Sequence, residues 1–151
     1  MIEFVIPGVP LGKGRARSVV RGKHVRHYTP EKTAKYESTA SLAGYQAMAG
    51  RPPIEGPVMA MLTIKLPISA SWSKRKQAAA LAGTELPTKK PDADNVIKAV
   101  FDAMNGVVWV DDTQVVDMVV RKRYALVPGV VVRISTVQPE PQDLLSASHH
   151  A

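Results

Sequence analysis

Two closely spaced aspartates, Asp92 and Asp94, are the residues whose type and spacing most directly suggest chemistry. Two residues at this spacing project to one side only in an extended segment, because in a helix they diverge by about 200°. Pro91 disfavours helical geometry at Lys90, and the helical pattern that follows is expected to begin after Asp94. Lys98 lies one helical turn beyond Asp94 on the polar face. The segment therefore predicts two carboxylates and an ammonium group at one place.

A second acidic pair, Asp111 and Asp112, directly follows the apolar run Val107–Val110. Acidic side chains at an apolar edge are costly unless they meet water, a cation or hydrogen-bond donors. Clustered carboxylates suit Mg²⁺, which takes few protein oxygens and leaves room for phosphate oxygens. Such an ion, with an ammonium group nearby, suits phosphodiester hydrolysis. The two pairs predict a metal site, and the number of ions stays open.

A purely structural role for these acids is the competing interpretation. Aspartate is a favoured helix cap, and an Asp–Lys pair at the spacing of Asp94 and Lys98 is often a solvated surface pair. Such a pair stabilises a helix by only a few tenths of a kcal/mol. The acidic cluster alone does not decide between the two interpretations.

Cationic residues with glycines between them form a loop near the start of the chain, and the formal net charge is +7. Neither the P-loop spacing nor Gly-x-Gly-x-x-Gly occurs there, so no nucleotide cofactor is expected. A solvated loop is the alternative to DNA contact for any one of these cations. Together with a second basic stretch at Arg121–Arg123, they favour DNA. The predicted DNA-contacting residues are Lys13, Arg15, Arg17, Lys90, Asn95 and Lys122.

Several classes of site and location are disfavoured by composition. The chain has no cysteine, which excludes disulfides, thiol nucleophiles and cysteine-based zinc sites and fits a reducing cytoplasm. His24 and His27 are expected to be hairpin surface residues rather than zinc ligands. No signal-like start or apolar stretch of about 18 residues occurs, so a cytoplasmic protein without membrane segments is expected.

The elements that must position these residues follow from breakers and periodicity. Helices are expected from Pro30, with Thr29 as cap, to Met48, from Ser71 or Ser73 to about Ala82, and from Asn95 to Met104. Strands are expected at Ile2–Ile6, in a small hairpin around Arg21–Lys23, at Val58–Leu66 as a central strand buried on both faces, and at Val115–Tyr124 and Val130–Val137 as an antiparallel hairpin.

These elements predict an α/β fold of the α+β kind, a single small domain with a mixed sheet, flanking helices and a C-terminal antiparallel hairpin. The domain is expected to cover residues 1–137. Residues 138–151 are polar, contain prolines and lack periodicity, so a disordered tail is expected there.

Three motifs follow one another along the chain: Lys90–Lys98, Phe101–Gly106 and Asp111–Val115. In their order and spacing they resemble the RusA-type Holliday-junction resolvases, and the resemblance extends from about Met1 to Val137. The opening Pro7–Pro10 with its basic loop, and the segment Ser71–Lys74, also look like that family. The sequence departs from the family pattern at Ala16, where proline is frequent, and at Met104, where leucine is common.

The resemblance implies a homodimeric endonuclease that uses Mg²⁺, with Mn²⁺ as a substitute, to make paired symmetric nicks in four-way DNA junctions during recombination and repair, in a bacterium or a phage. Carried over by position, Asp92, Asp94 and Asp112 are the metal-binding carboxylates and Lys98 the catalytic lysine, with Asp111 as a neighbouring candidate ligand. A two-fold dimer suits two cuts related by the symmetry of the junction. The competing functions are a non-catalytic DNA-binding module and a nuclease for flaps or RNA.

Overall fold

A four-stranded mixed sheet forms the centre of the fold in a computed structural model, which describes residues 1–13, 17–21, 24–28 and 31–141. Its strands are β1 (Ile2–Pro7), β4 (Val58–Pro67), β5 (Val115–Ala125) and β6 (Gly129–Thr136), in the order β1-β6-β4-β5. The β4–β5 pair is parallel, and β6 is antiparallel to both β1 and β4. A separate antiparallel pair consists of β2 (Arg17–Arg21) and β3 (His24–Tyr28), which confirms the small hairpin. Side chains are described only for residues 1–13 and 31–141.

In the described part of the chain three helices accompany the sheet, so the predicted α+β class is confirmed. They are α1 (Glu31–Met48), α2 (Lys74–Ala82) and α3 (Ala93–Met104), and a 3₁₀ turn at Asp112–Gln114 leads into β5. The Ser73 hydroxyl accepts a hydrogen bond of 3.2 Å from the Lys76 amide, so Ser73 is the cap of α2. The expected cap of α1 at Thr29 and Pro30 lies outside the described residues.

The core lies on one face of the sheet, where alternate side chains of β1, β4 and β6 are buried. The prediction that β4 is buried on both faces is wrong, because its alternate residues are only half-buried. On the covered face, α1 packs against β1 and α3. Gly44 permits this contact between helices, since a Cβ there would lie 3.0 Å from the Met104 sulfur. The core therefore fixes α3, the helix that follows Asp92.

The predicted C-terminal hairpin does not form, although both of its strands do. β5 and β6 lie on opposite sides of β4, and residues 126–128 pass over the end of that strand. A central apolar strand can pair along both edges, and each outer strand pairs with β4 instead of with its neighbour in sequence. β5 is consequently an edge strand, and it carries the residues that follow Asp112.

The predicted tail, 138–151, is only partly covered by the structure. Thr136 ends β6, and the Val137 amide donates a 3.0 Å hydrogen bond to the Pro57 carbonyl. Residues 138–141 are exposed and belong to no helix or strand. Residues 142–151 lie outside the described part, so the disorder expected there stays a prediction.

Candidate active site

The first acidic pair lies at the beginning of α3. Asp92 is the N-cap residue in an extended conformation (φ −66°, ψ 139°), and Asp94 is in the first turn of the helix. The expectation that the helix begins after Asp94 is therefore wrong, and the two acids do not share one extended segment. The helix takes in Asp94 because the Val96 amide already donates to the Asp92 carbonyl at 3.2 Å.

Asp92 occupies the cap position without acting as a side-chain cap. Its carboxylate makes no capping hydrogen bond, and among the described residues neither Asp92 nor Asp94 has an ion-pair partner. Both side chains are exposed. The positive amide end of α3 stabilises negative charge at this position. These carboxylates are therefore free to accept a cation. The capping interpretation requires a side-chain hydrogen bond to the helix start, and Asp92 does not make one.

Lys98 lies on the exposed side of α3, one turn after Asp94. Within the described part of the chain it forms no ion pair with Asp94 or with any other acid. The solvated Asp–Lys pair of the competing interpretation is thus not formed. The buried face of the helix consists of Val96, Ala99, Val100, Phe101, Ala103 and Met104, and this confirms the predicted amphipathic pattern.

The two residues of the second acidic pair have different surroundings. The Asp111 carboxylate accepts hydrogen bonds from the Thr113 hydroxyl at 2.6 Å and the Thr113 amide at 3.3 Å. These bonds lower the pKa of Asp111 below its ordinary value, the hydroxyl having the largest effect. Asp112 is half-buried and has no side-chain partner among the described residues. Asp111 is thus the cap of the 3₁₀ turn. The Asp112 carboxylate, which has no described partner, is the one available to a ligand.

Gln114 fixes this turn, and the sequence interpretation missed it. Its side-chain oxygen accepts from the Val110 and Asp111 amides, both at 2.9 Å. Its amide nitrogen donates to the Ile54 and Gly56 carbonyls, both at 2.8 Å. The Asp-x-x-Gln spacing is the signature of a capping box, so the signal was present in the sequence.

The described residues of one chain do not gather the acids into one group. The turn that carries Asp112 contacts α3, and before it the Trp109 indole donates to the Asn105 side chain at 2.7 Å. Asn105 is at the C-terminal end of α3, about 16 Å along the helix axis from Asp94. Across residues 1–13 and 31–141, no three acidic or histidine side chains are placed to hold a metal ion. The type of donor fits Mg²⁺, whereas the number of donors brought together does not.

Lys13 is anchored by acids of two helices. Its ammonium group donates a short hydrogen bond to Asp102 on α3 and lies 3.2 Å from Glu37 Oε1 on α1. The bond to Asp102 is the main reason why the pKa of Lys13 is raised. The Lys13 amide also donates to the Asn95 carbonyl at 2.9 Å. Lys13 thus fixes the basic loop to the helix that begins at Asp92, and its DNA contact stays a prediction.

Close backbone packing holds the same loop in place. A Cβ at Gly12 would lie 3.0 Å from Asn95 Cβ and 3.6 Å from Pro91 Cβ.

The other predicted DNA-contacting residues differ in their exposure and in their hydrogen bonds. Lys90 is exposed, Asn95 is half-buried, and Lys122 donates to the Lys89 carbonyl at 2.8 Å. Arg15 lies outside the described residues, as does the side chain of Arg17.

A scan against protein families matches residues 7–135 to the family described as Endodeoxyribonuclease RusA. The chain belongs to the RusA family of endodeoxyribonucleases. The matched range contains both acidic pairs, Lys98 and the basic loop. The resemblance found in the sequence is thereby confirmed, and membership indicates an endodeoxyribonuclease, a hydrolase.

Among curated proteins, the chain is similar to the uncharacterized protein YqaN of Bacillus subtilis (strain 168), with 38% identity over 140 residues. The alignment covers 90% of this chain and 96% of that protein. None of the described helices is both long and apolar enough to cross a membrane.

Proposed function

We propose that this chain is a Mg²⁺-dependent endonuclease that resolves four-way DNA junctions by paired symmetric nicks in recombination and repair, in a bacterial or phage-infected cytoplasm. The observation that carries the proposal is the set of ionisable side chains without a described partner: Asp92, Asp94, Lys98 and Asp112. All four lie within the range matched to an endodeoxyribonuclease family. Carboxylates without a protein partner leave their oxygens available to a hard cation such as Mg²⁺.

Each of these residues has a distinct proposed role. Asp92, Asp94 and Asp112 would supply oxygens to Mg²⁺, for which Mn²⁺ would be a substitute. Asp111 is less available as a ligand, because its carboxylate accepts two hydrogen bonds from Thr113. The ion, when bound, supplies activation of water and charge stabilisation at the phosphate. Lys98 offsets the charge that develops on the phosphate, because no described acid pairs with its ammonium group.

We also propose that the active form is a homodimer joined along the free edge of β5. Val116 and Met118 on this strand are 57% and 50% exposed, and a long edge strand with exposed apolar residues is a template for pairing with another chain. An antiparallel pair of β5 strands with its two-fold axis at Val119 would put Asp117 opposite Arg121 of a second copy, twice. It would also put Met118 opposite Val120. Charge and apolar surface are therefore complementary in this register.

This pairing also addresses the incomplete group of acids. Asp112 precedes one end of β5, whereas Lys122, near the other end, is bonded to Lys89 just ahead of Asp92. In a two-fold antiparallel pair, the beginning of one β5 lies beside the end of the other. Asp112 of one copy would then approach the α3 start of the second copy. The dimer thus offers the third carboxylate that the described residues of one chain do not bring to Asp92 and Asp94.

Charge reversal tests the interface. Asp117→Arg should place like charges opposite each other and shift the mass measured by sedimentation toward the monomer. The double variant Asp117→Arg with Arg121→Asp restores opposite charges and should restore the dimer. A single variant that stays dimeric, or a double variant that stays monomeric, would show that β5 does not pair in this register.

Separate assays of binding and cleavage test the catalytic assignment. Asp92→Asn and Asp112→Asn should slow nicking of a synthetic junction by about two orders of magnitude or more, while junction binding persists. Binding persists because the substitutions remove negative charge and leave the basic surface intact. Glu55→Gln, an exposed acid without a described partner, is the matched control and should nick normally. Loss of binding together with loss of nicking would remove the catalytic role.

A non-catalytic DNA-binding module is the second candidate function. It is favoured by one observation, the lack of three gathered acids among the described residues of one chain. It predicts junction binding without nicking by the unmodified protein in any divalent metal. Comparing junction, duplex, flap and RNA substrates separates both candidates from a nuclease with another substrate.

A further inference from the structure

A cavity of about 320 Å³ opens beside the start of α3 and plays no part in the proposed chemistry. It lies where β4 and β5 end, and its wall includes Leu66, Trp72, Lys89, Lys90, Pro91 and Tyr124. Pro91 directly precedes Asp92, so the cavity adjoins the proposed metal ligands. We call it the Trp72 cavity.

Two aromatic rings form one corner of the Trp72 cavity. The rings of Trp72 and Tyr124 are 5.1 Å apart between centroids and nearly perpendicular, at 86°. The Lys76 ammonium group lies 4.2 Å from the centre of the Trp72 ring and restrains it further. A flat ligand that lies against one ring meets the other edge-on, and both contacts are favourable for aromatic groups.

The charge at the rim of the Trp72 cavity suits a ligand with phosphates on either side. Lys89 and Lys90 line it, and no acidic side chain of the described residues does. The backbone of Lys89 is held by the 2.8 Å bond from Lys122. An apolar, aromatic interior with cations at the mouth is the combination that takes bases of single-stranded nucleic acid.

We propose that the Trp72 cavity binds one unstacked nucleobase of the DNA strand that is cut, next to the scissile phosphate. The inference rests on the proposed function, since it takes DNA as the ligand. A cavity of about 150 Å³ holds one benzene ring, so this one has room for a pyrimidine or a purine. A base already unpaired costs least to place there, which would favour branched DNA over an intact duplex.

Abasic substitution combined with a cavity variant tests the proposal. A labelled junction would carry an abasic analogue at each nucleotide around the nick in turn, and binding would be followed by anisotropy in Ca²⁺ to prevent cutting. In the unmodified protein, one abasic position should weaken binding by roughly 5- to 140-fold, the usual effect of losing one base–aromatic contact. Trp72→Leu should weaken binding of the complete junction similarly and remove the further penalty at that position.

Two controls keep the result interpretable. Trp72→Phe retains a ring and should retain the abasic penalty, and circular dichroism of both variants shows whether the fold persists. An abasic penalty that is the same in Trp72→Leu and in the unmodified protein would overturn the proposal, as would the lack of any sensitive position. A protein that cuts junctions in Mg²⁺ but shows either result keeps its proposed function and loses only this cavity assignment. If no DNA is cut, the proposed function fails, whereas an abasic penalty that disappears in Trp72→Leu would still show that the cavity binds a base.

Discussion

Gln114 holds the turn that carries Asp112, so the nearly isosteric change Gln114→Glu should weaken that turn. Gln114→Glu keeps a side-chain oxygen for the Val110 and Asp111 amides and removes both N–H donors. The Ile54 and Gly56 carbonyls, each now accepting at 2.8 Å, would face a carboxylate instead. A net contribution of about 0.5–1.5 kcal/mol for each lost hydrogen bond gives a destabilisation of about 2 kcal/mol.

Equilibrium unfolding in urea, followed by the fluorescence of Trp72 and of the buried Trp109, measures this loss. For a chain of 151 residues, about 2 kcal/mol corresponds to a fall in Tm of roughly 4–8 °C. Gln138→Glu is the matched control, because Gln138 is exposed and has no described side-chain bond. It should change the free energy of unfolding by less than about 0.5 kcal/mol. If both variants lose the same stability, Gln114 does not hold the turn.

The remaining predictions concern two pKa values and follow from the bonds of Asp111 and Lys13. Thr113→Val removes the main cause of the lowered pKa of Asp111, so NMR titration should show that pKa rising toward its ordinary value. In the unmodified protein the Asp111 cap contributes stability above the unfolded-state pKa and loses it as the pH falls through the lower folded-state value, and this loss should be smaller in the variant. Asp102→Asn should lower the pKa of Lys13, whose raised value contributes stability below its ordinary 10.5 and loses it at higher pH. Unchanged titration of either group would contradict the assigned cause.

Local signals in the sequence predicted the elements and the acidic residues of the site. Period-3.6 spacing located α3, and breakers located β4, β5 and β6, because these patterns depend on neighbouring residues. The position of β4 between β5 and β6 depends on pairing across the sheet, which local periodicity does not contain. The start of α3 differed by two residues, since the first amide bond to the Asp92 carbonyl decides whether Asp94 is helical.

Side-chain partners that are distant in sequence were the main part of the site that could not be predicted. The cation of Lys13 was assigned to DNA, yet it binds Asp102, 89 residues away. The sequence interpretation likewise did not decide which of Asp111 and Asp112 caps the turn and which is available to a ligand. The capping box that Asp111 forms with Gln114 is nevertheless readable in the sequence. Spacing identifies which residues are able to do chemistry, and only tertiary packing shows which of them remain free to do it.

The most direct test of the proposed function is a nicking assay on a synthetic four-way junction labelled on each strand, in Mg²⁺ and in EDTA, with Asp94→Asn beside the unmodified protein. We expect paired nicks at symmetric positions in Mg²⁺, and no nicks in EDTA or with the variant. Junction binding without nicks in any divalent metal, or nicking that the Asp94 variant retains, would contradict the proposal.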